Sequence, residues 1–308
     1  MADHSRFQGI PNIIYGTAFK FDKSASLVEA ALNAGFRAID TAGSKSAYRE
    51  ALVGEGIAAA LANGTFKRNE LYTKFSPFKQ GKDPALYPYN TTKTITEQVA
   101  QSVPSSLANL GIDYIDCLVL HSLYADIQDT LTAWRAMEAL VPSKVASLGL
   151  VAAQDMRSGH GQTLRGAEPL HSGHCRQANP NFPSDLPLPL VTFDRDVRGY
   201  CQQHGIAYAP WGLLWGSLDV LDAEQLMTIA GRGVGIDKHI ACFALMQSVG
   251  GCQITILCGT TNEGRMHETL GGLAKMQKYL AESETNRETW SGYVDSLKVV
   301  IDGIQKMG

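Results

Sequence analysis

Residues 95–122 read ITEQVAQSVPSSLANLGIDYIDCLVLHS, and this stretch decides the fold. Ile95 to Gly111 reads as a helix with a proline inside it, Pro104, which predicts a kink or a split. Tyr114 to Ser122, YIDCLVLHS, then reads as a buried strand. A helix running straight into an apolar strand is half of a strand–helix–strand crossover, and the rest of the chain repeats it.

Outward from this stretch the rhythm holds in both directions. NIIYGTA (Asn12 to Ala18) is a strand, and SLVEAALNAGF carries Leu27, Ala30, Ala31 and Ala34 at helical spacing, with Gly35 at the C-cap. RAID (Arg37 to Asp40) is a strand, Val53 to Gly64 a helix, and ELYTKFSP (Glu70 to Pro77) a strand. TLTAWRAMEAL is a helix and SLGLV (Ser147 to Val151) a strand. After a gap come the helix DRDVRGYCQQHG, the strand IAYAPWG, the helix IDKHIACFALMQS and the strand QITILCG. Roughly eight such units in 308 residues predict an α/β fold, a (β/α)8 TIM barrel. A doubly wound open sheet is the competing reading. No G-x-G-x-x-G follows the first strand, and Gly231-Arg-Gly-Val-Gly235 has the wrong spacing and reads as a flexible loop. The C-terminal stretch from Lys275 reads as one or two amphipathic helices with a polar break.

Composition excludes several classes. An apolar fraction of 44% is that of a globular chain and not a disordered one. With 27 basic and 30 acidic residues the net charge is −3, and no basic block points to nucleic acid or an anionic membrane. No apolar run approaches the ~18 residues that span a bilayer. The start, MADHSRFQGIPN, lacks the layout of a secretory signal, and the six cysteines are dispersed. A cytoplasmic protein with reduced thiols is expected.

The strands finish on ionisable residues. RAID ends in Asp40, LYTK in Lys74 and CLVLH in His121, while NIIYGT ends in Gly16-Thr17. In a barrel these ends converge on one mouth, where such folds place their chemistry. Each residue alone has a structural reading: a helix cap, a lysine reaching for solvent, a hydrogen-bonded core histidine. Three on three different strands point instead to a shared site. Tyr48, in the loop after Asp40, adds a phenol.

These residues resemble the aldo-keto reductase superfamily. The matching pieces are GFRAIDTA with Y-R-E-x-L-V-G-E-G-I, LYTKFSP, SLANLGIDYIDCLVLHS, KVASLGL, GIAYAPWG and ILCGTTNEGR, in order from about Ile10 to about Leu270. The resemblance implies a barrel that binds NADPH/NADP+ without a Rossmann turn and needs no metal. It implies a catalytic tetrad of Asp40, Tyr48, Lys74 and His121, acting on a small-molecule carbonyl substrate. Tyr48 would protonate the carbonyl oxygen, Lys74 would lower its pKa from about 10, Asp40 would hold Lys74, and His121 would contact the substrate and polarise it. Many relatives place the tyrosine five residues after the aspartate, where this chain has Lys45; Tyr48 comes eight after. For the cofactor, the resemblance implies contacts from Gly16, Thr17, Asp40, Tyr208 and Trp211, with Thr260, Arg265 and Glu268 at the 2′-phosphate and adenine. Phe19, Phe75, Phe78 and Trp215 are candidates for an apolar substrate pocket.

Ala152 to Thr192 departs from the pattern. It holds five of the chain's twelve prolines and three of its eight histidines, and has almost no apolar periodicity. The resemblance implies here a Ser-Asn pair, a helix and a sixth strand ending in Gln, which together hold the nicotinamide carboxamide. This chain has Val151-Ala152 in place of Ser-Asn, so the barrel is expected to be incomplete around strand six. An out-of-frame or unspliced segment accounts for flanks that match and a middle that does not; a lineage-specific insert is the other account. His171, His174 and Cys175 lack a fourth ligand for zinc. Two functions follow as expectations: an NADP(H)-dependent carbonyl reductase, or a barrel of that kind with impaired catalysis that acts by binding. A metal-dependent hydrolase would need clustered ligands at strand ends, and only Asp40 and His121 qualify.

Overall fold

Five strands in succession, β1 (Ile13–Gly16), β2 (Ala38–Asp40), β3 (Glu70–Phe75), β4 (Ile115–Leu120) and β5 (Val145–Leu150), pair side by side and parallel in a computed structural model. It describes residues 12–64, 70–151, 195–210, 212–214, 223–250 and 252–301. A last strand, β6 (Ile256–Cys258), pairs with β1 on its far side, giving the order β5-β4-β3-β2-β1-β6. Next to β6, Tyr208 forms a parallel bridge with Ile254. Among the described residues the sheet does not close, and the segment 152–194 lies outside them. The departures noted at Ala152 to Thr192, with His171, His174 and Cys175, therefore also lie outside.

Crossover helices account for the parallel pairing. Between the strands lie α1 (Ser24–Ala34), α2 (Glu50–Ala62), α3 (Ile95–Leu110), α4 (Ile127–Glu138), α5 (Arg195–His204), α6 (Glu224–Val234) and α7 (Lys238–Ser248); α8 (Glu263–Glu282) and α9 (Glu284–Ile301) follow the last one. Gly35 caps α1 in the left-handed conformation, as the sequence predicts. The C-terminal stretch forms two helices divided at Ser283.

Two expectations are corrected. Pro104 does not split its helix: α3 runs unbroken through it, held by a capping box of Thr94 with Glu97 and by buried Val99, Val103 and Leu110. Gly231 to Gly235 is not a loop either. Gly231 and Gly233 lie in α6, and only Gly235 leaves it, as a C-cap with φ of 74°. A Cβ on Gly231 would come within 2.8 Å of the Ile236 carbonyl, so glycine serves the tight turn into α7 and not flexibility.

Strand alternation sorts the side chains into two layers. Ile14, Ala38, Tyr72, Cys117 and Val119 cluster together on the inner face. Residues of opposite parity pack outward under the helices: Ile13, Tyr15, Ile39 and Leu71 in one core, Phe75, Leu118 and Leu120 in another. Stepping two along from the inner residues reaches Asp40 on β2, Lys74 on β3 and His121 just past β4. Because the strands are parallel, all three emerge at the same, C-terminal edge.

Candidate active site

Asp40 and Lys74 are both buried, at 1% and 4% exposure, and meet with Lys74 Nζ 2.5 Å from Asp40 Oδ2. The ammonium also donates to the Thr41 carbonyl at 2.8 Å. Thr17 donates to the Asp40 carbonyl through both its backbone N–H and its hydroxyl, at 3.0 and 2.9 Å. Gly16 pairs with Asp40 across the β1–β2 register, so Gly16 and Thr17 wall the aspartate.

Tyr48 reaches this pair despite its eight-residue spacing because the loop Thr41 to Arg49 is pinned along its length. Thr41 N–H donates to the Tyr72 carbonyl, Gly43 N–H to the Lys74 carbonyl, and Lys45 N–H to the Leu86 carbonyl. Arg49 donates back to the carbonyls of Lys45 and Tyr48. The loop after β1 holds it from the other side: Phe19 N–H donates to the Ala47 carbonyl at 2.7 Å, and the Arg49 guanidinium lies 5.1 Å over the Phe21 ring. Phe19 and Phe21 have φ of 58° and 46°, a left-handed backbone that side-chain-bearing residues seldom adopt. Lys74 Nζ sits 5.0 Å from the centroid of the buried Tyr48 ring. The ring meets His121 edge-on, centroids 5.6 Å apart. Lys45, at the other spacing, is exposed.

The structure thus brings Asp40, Tyr48, Lys74 and His121 together. Their protonation follows from burial and one ion pair. Burial raises the Tyr48 pKa above its ordinary value; Lys74 pulls it down by charge and hydrogen bond, and burial prevails. The expectation that Lys74 lowers this pKa is right for the pair but not for the sum. Burial alone would lower Lys74, yet Asp40 and Tyr48 beside it raise it, so it stays an ammonium ion. Burial, then the charges of Lys74 and Lys79, hold His121 well below its usual range, as neutral imidazole.

Three neighbours were given no role by the sequence. Ser76 Oγ lies 2.7 Å from His121 Nδ1. Glu50, 5% exposed at the start of α2, accepts hydrogen bonds from Thr73, Ser106 and Asn109 on the outer side of the sheet, behind Lys74. Strand parity was the available signal for Ser76, which follows Lys74 on the inner side. Lys20 donates to the Gly259 carbonyl in the loop after β6.

The remaining candidates divide. Thr260 is half-buried, and its carbonyl accepts a hydrogen bond from Tyr15 at 2.9 Å. Arg265 and Glu268 are exposed on the first turns of α8, whose N-cap Asn262 accepts the Arg265 N–H. Tyr208 is wholly buried and its ring joins the outer core with Tyr15 and Ile256, so the structure does not bring it to the four residues at the mouth. Trp211 and Trp215 lie outside the described residues. Of the pocket candidates, Phe19 is 65% exposed, Phe78 meets Tyr87 edge-on, and Phe75 is wholly buried in the outer core.

Comparison with known proteins places this arrangement. Residues 12–158 match the family model described as the aldo/keto reductase family. "Aldo-keto reductase AKR2E4" of Bombyx mori is 35% identical over 136 residues, covering 40% of this chain and 39% of the relative. "Morphine 6-dehydrogenase" of Pseudomonas putida is 32% identical over 120 residues, covering 39% and 34%. The chain thus matches under two fifths of the length of these two relatives. "Deoxymugineic acid synthase 1-D" of Triticum aestivum is 26% identical over 85% of this chain and 82% of its own. Among solved structures, the Bombyx mori aldo-keto reductase AKR2E4 in complex with NADP superposes with a TM-score of 0.63 at 21% identity, covering 93% of this chain and 89% of that one. The aldose reductase of Giardia lamblia gives 0.64 at 15%, covering 97% and 99%. These likenesses carry the fold, the aldo-keto reductase barrel, over nearly the whole chain. Residues 12–158, which hold all four residues gathered at the mouth, carry the match to the aldo/keto reductase family over just under half of the chain.

Proposed function

We propose that the protein is an NADP(H)-dependent reductase that converts a small aldehyde or ketone to an alcohol, with Tyr48 as the proton donor. The observation that carries this reading is the buried Asp40–Lys74 pair set 5.0 Å under the Tyr48 ring, with His121 edge-on to that ring. A bound reduced nicotinamide supplies a hydride to the carbonyl carbon. What the chain supplies is the proton and the means to bear the charge. As negative charge gathers on the carbonyl oxygen, the Tyr48 hydroxyl gives up its proton to it. A phenol whose pKa is raised is held as the acid, which suits reduction, and an alkoxide is basic enough to take the proton. The phenolate left behind is met by the Lys74 ammonium, which Asp40 keeps charged and in place. Asp40 and Lys74 need no reorganisation at that moment, because each is already the other's hydrogen-bond partner.

The residues near α8 fit the far end of such a cofactor. Arg265 is exposed in the first turn of a 20-residue helix, and a guanidinium beside a helix N-terminus suits a phosphate. Thr260 and Glu268 flank it, and Gly16 and Thr17 lie at the mouth beside Asp40. Tyr208, turned into the outer core, is given no role here. Among the described residues, the five buried free thiols Cys117, Cys201, Cys242, Cys252 and Cys258 accord with a cytoplasmic setting.

Titrating the full chain with NADPH and following tryptophan fluorescence tests this. Saturable quenching, with Tyr48→Phe binding equally well but reducing aldehyde about 10²–10⁴-fold more slowly, is expected. A folded chain that leaves NADPH unbound overturns the reading and favours the impaired barrel.

A further inference from the structure

Ser76 and His121 stand side by side on adjacent strand ends. The register pairs Phe75 with Leu120, and His121 N–H donates to the Phe75 carbonyl at 2.9 Å, so the next residues along are neighbours. The Ser76 backbone is fixed as well: the Tyr89 hydroxyl donates to its carbonyl at 2.6 Å, and the Tyr89 ring packs 5.5 Å from Phe75. The hydroxyl itself is 2.7 Å from Nδ1 of His121, and Ser76 is 8% exposed.

A neutral imidazole has one N–H and one lone pair, and the partner of one nitrogen decides which is which. The hydroxyl of Ser76 can accept from Nδ1–H or donate to a bare Nδ1. If it accepted, its own proton would need another acceptor, and among the described residues Nδ1 is the only partner at that oxygen. A buried donor without a partner is costly, while an oxygen with spare lone pairs is less so. Donation to Nδ1 pairs the hydroxyl of Ser76, 8% exposed, and moves the one unpaired donor to Nε2 of the half-buried His121, where water or a ligand at the mouth can take it. It leaves the ring proton on Nε2, the nitrogen on the far side of the ring from Ser76.

We propose that Ser76 is a positioning residue that sets the tautomer of His121, giving its hydroxyl proton to Nδ1 so that Nε2 is the ring donor. Resting on the reductase reading, this matters because a carbonyl oxygen only accepts hydrogen bonds. The Nε2–H tautomer can bond a substrate oxygen there; the other presents a lone pair to a lone pair.

Ring nitrogen shifts report the tautomer directly, without turnover. The full chain is labelled with 15N-histidine, and long-range 1H–15N spectra are assigned for His121 by their loss in His121→Gln. The wild type is expected to show the Nε2–H tautomer alone. Ser76→Ala is expected to show both tautomers, and Ser76→Thr to restore the single one. In an aldehyde reduction assay Ser76→Ala loses about fivefold in kcat, the worth of one neutral hydrogen bond, and Ser76→Thr recovers it. Nδ1–H or a mixture in the wild type overturns the proposal whatever the variants do. An unchanged single tautomer in Ser76→Ala overturns it too. A chain that reduces no carbonyl yet gives the expected spectra keeps the tautomer assignment and refutes the reductase reading alone.

Discussion

The carboxylate of Glu50 accepts the Thr73 hydroxyl proton at 2.5 Å, joining the first turn of α2 to the strand residue immediately before Lys74. Tyr48 and Lys74 are therefore fastened to each other from behind, through residues that never face the mouth. Burial raises the Glu50 pKa above its ordinary 4.5, outweighing the hydrogen bonds from Thr73, Ser106 and Asn109 and the charge of Lys74. A carboxyl with a raised native pKa gives stability that is full below its unfolded value and is lost as pH rises through the native one. Glu50→Gln does not titrate. Thermal melts from about pH 4 to about pH 8 are expected to find the variant gaining on the wild type as pH rises. A difference independent of pH refutes the assignment.

Replacing Tyr48 by Phe keeps the ring that packs against His121 and removes only the hydroxyl. Loss of a general acid costs about 10²–10⁴-fold, and it should fall on kcat, with NADPH affinity and melting temperature unchanged. Measuring all three separates lost chemistry from lost structure.

The Asp40–Lys74 pair is buried, so breaking it strands a charge. Lys74→Met and Asp40→Asn are each expected to destabilise the fold by about 3–5 kcal/mol, and the double variant by less than their sum. Urea unfolding of the four proteins measures the coupling; strict additivity contradicts the pairing.

His121 is held well below its usual range by burial and by the Lys74 and Lys79 charges. For a histidine depressed in the native state, stability is present above the unfolded value and is lost as pH falls below about 6.5, where the unfolded chain gains a proton first. His121→Gln lacks that loss. The gap between wild type and variant should therefore shift in the variant's favour between about pH 7 and about pH 5, as unfolding experiments at fixed temperature can record.

Arg265 is the residue near α8 suited to a 2′-phosphate. Arg265→Ala is expected to weaken NADPH binding by about tenfold or more, the worth of a charged hydrogen bond, and to leave NADH unaffected. Equal losses for both nucleotides, read by fluorescence titration, dismiss the contact.

The layered α/β plan was legible because alternation and parallel pairing are local rules: Asp40, Lys74 and His121 fall on the inner face by counting in twos. Tyr48 was legible only through its resemblance, since what returns it to the mouth is a set of backbone bonds from Leu86, Tyr72 and Phe19 that no local pattern encodes. Glu50 and Ser76 were silent for the same reason, as their partners come from other elements. Gly231 misled because glycine serves close approach as well as flexibility, and the choice is made by the Ile236 carbonyl. Pro104 does not split α3 because the capping box and buried face carry the helix past it. Tyr208 had the right motif, yet the bridge to Ile254 sets it on the outer parity.

The loop bearing Phe19 and Phe21 grips the chain on both sides of Tyr48, at Ala47 and at Arg49. These two aromatic residues are exposed, Phe19 at 65% and Phe21 at 40%. Under the proposed reduction, the residues at the entrance and the donor of the proton would share one backbone. A substitution at Phe19 or Phe21 is then expected to move selectivity and rate together.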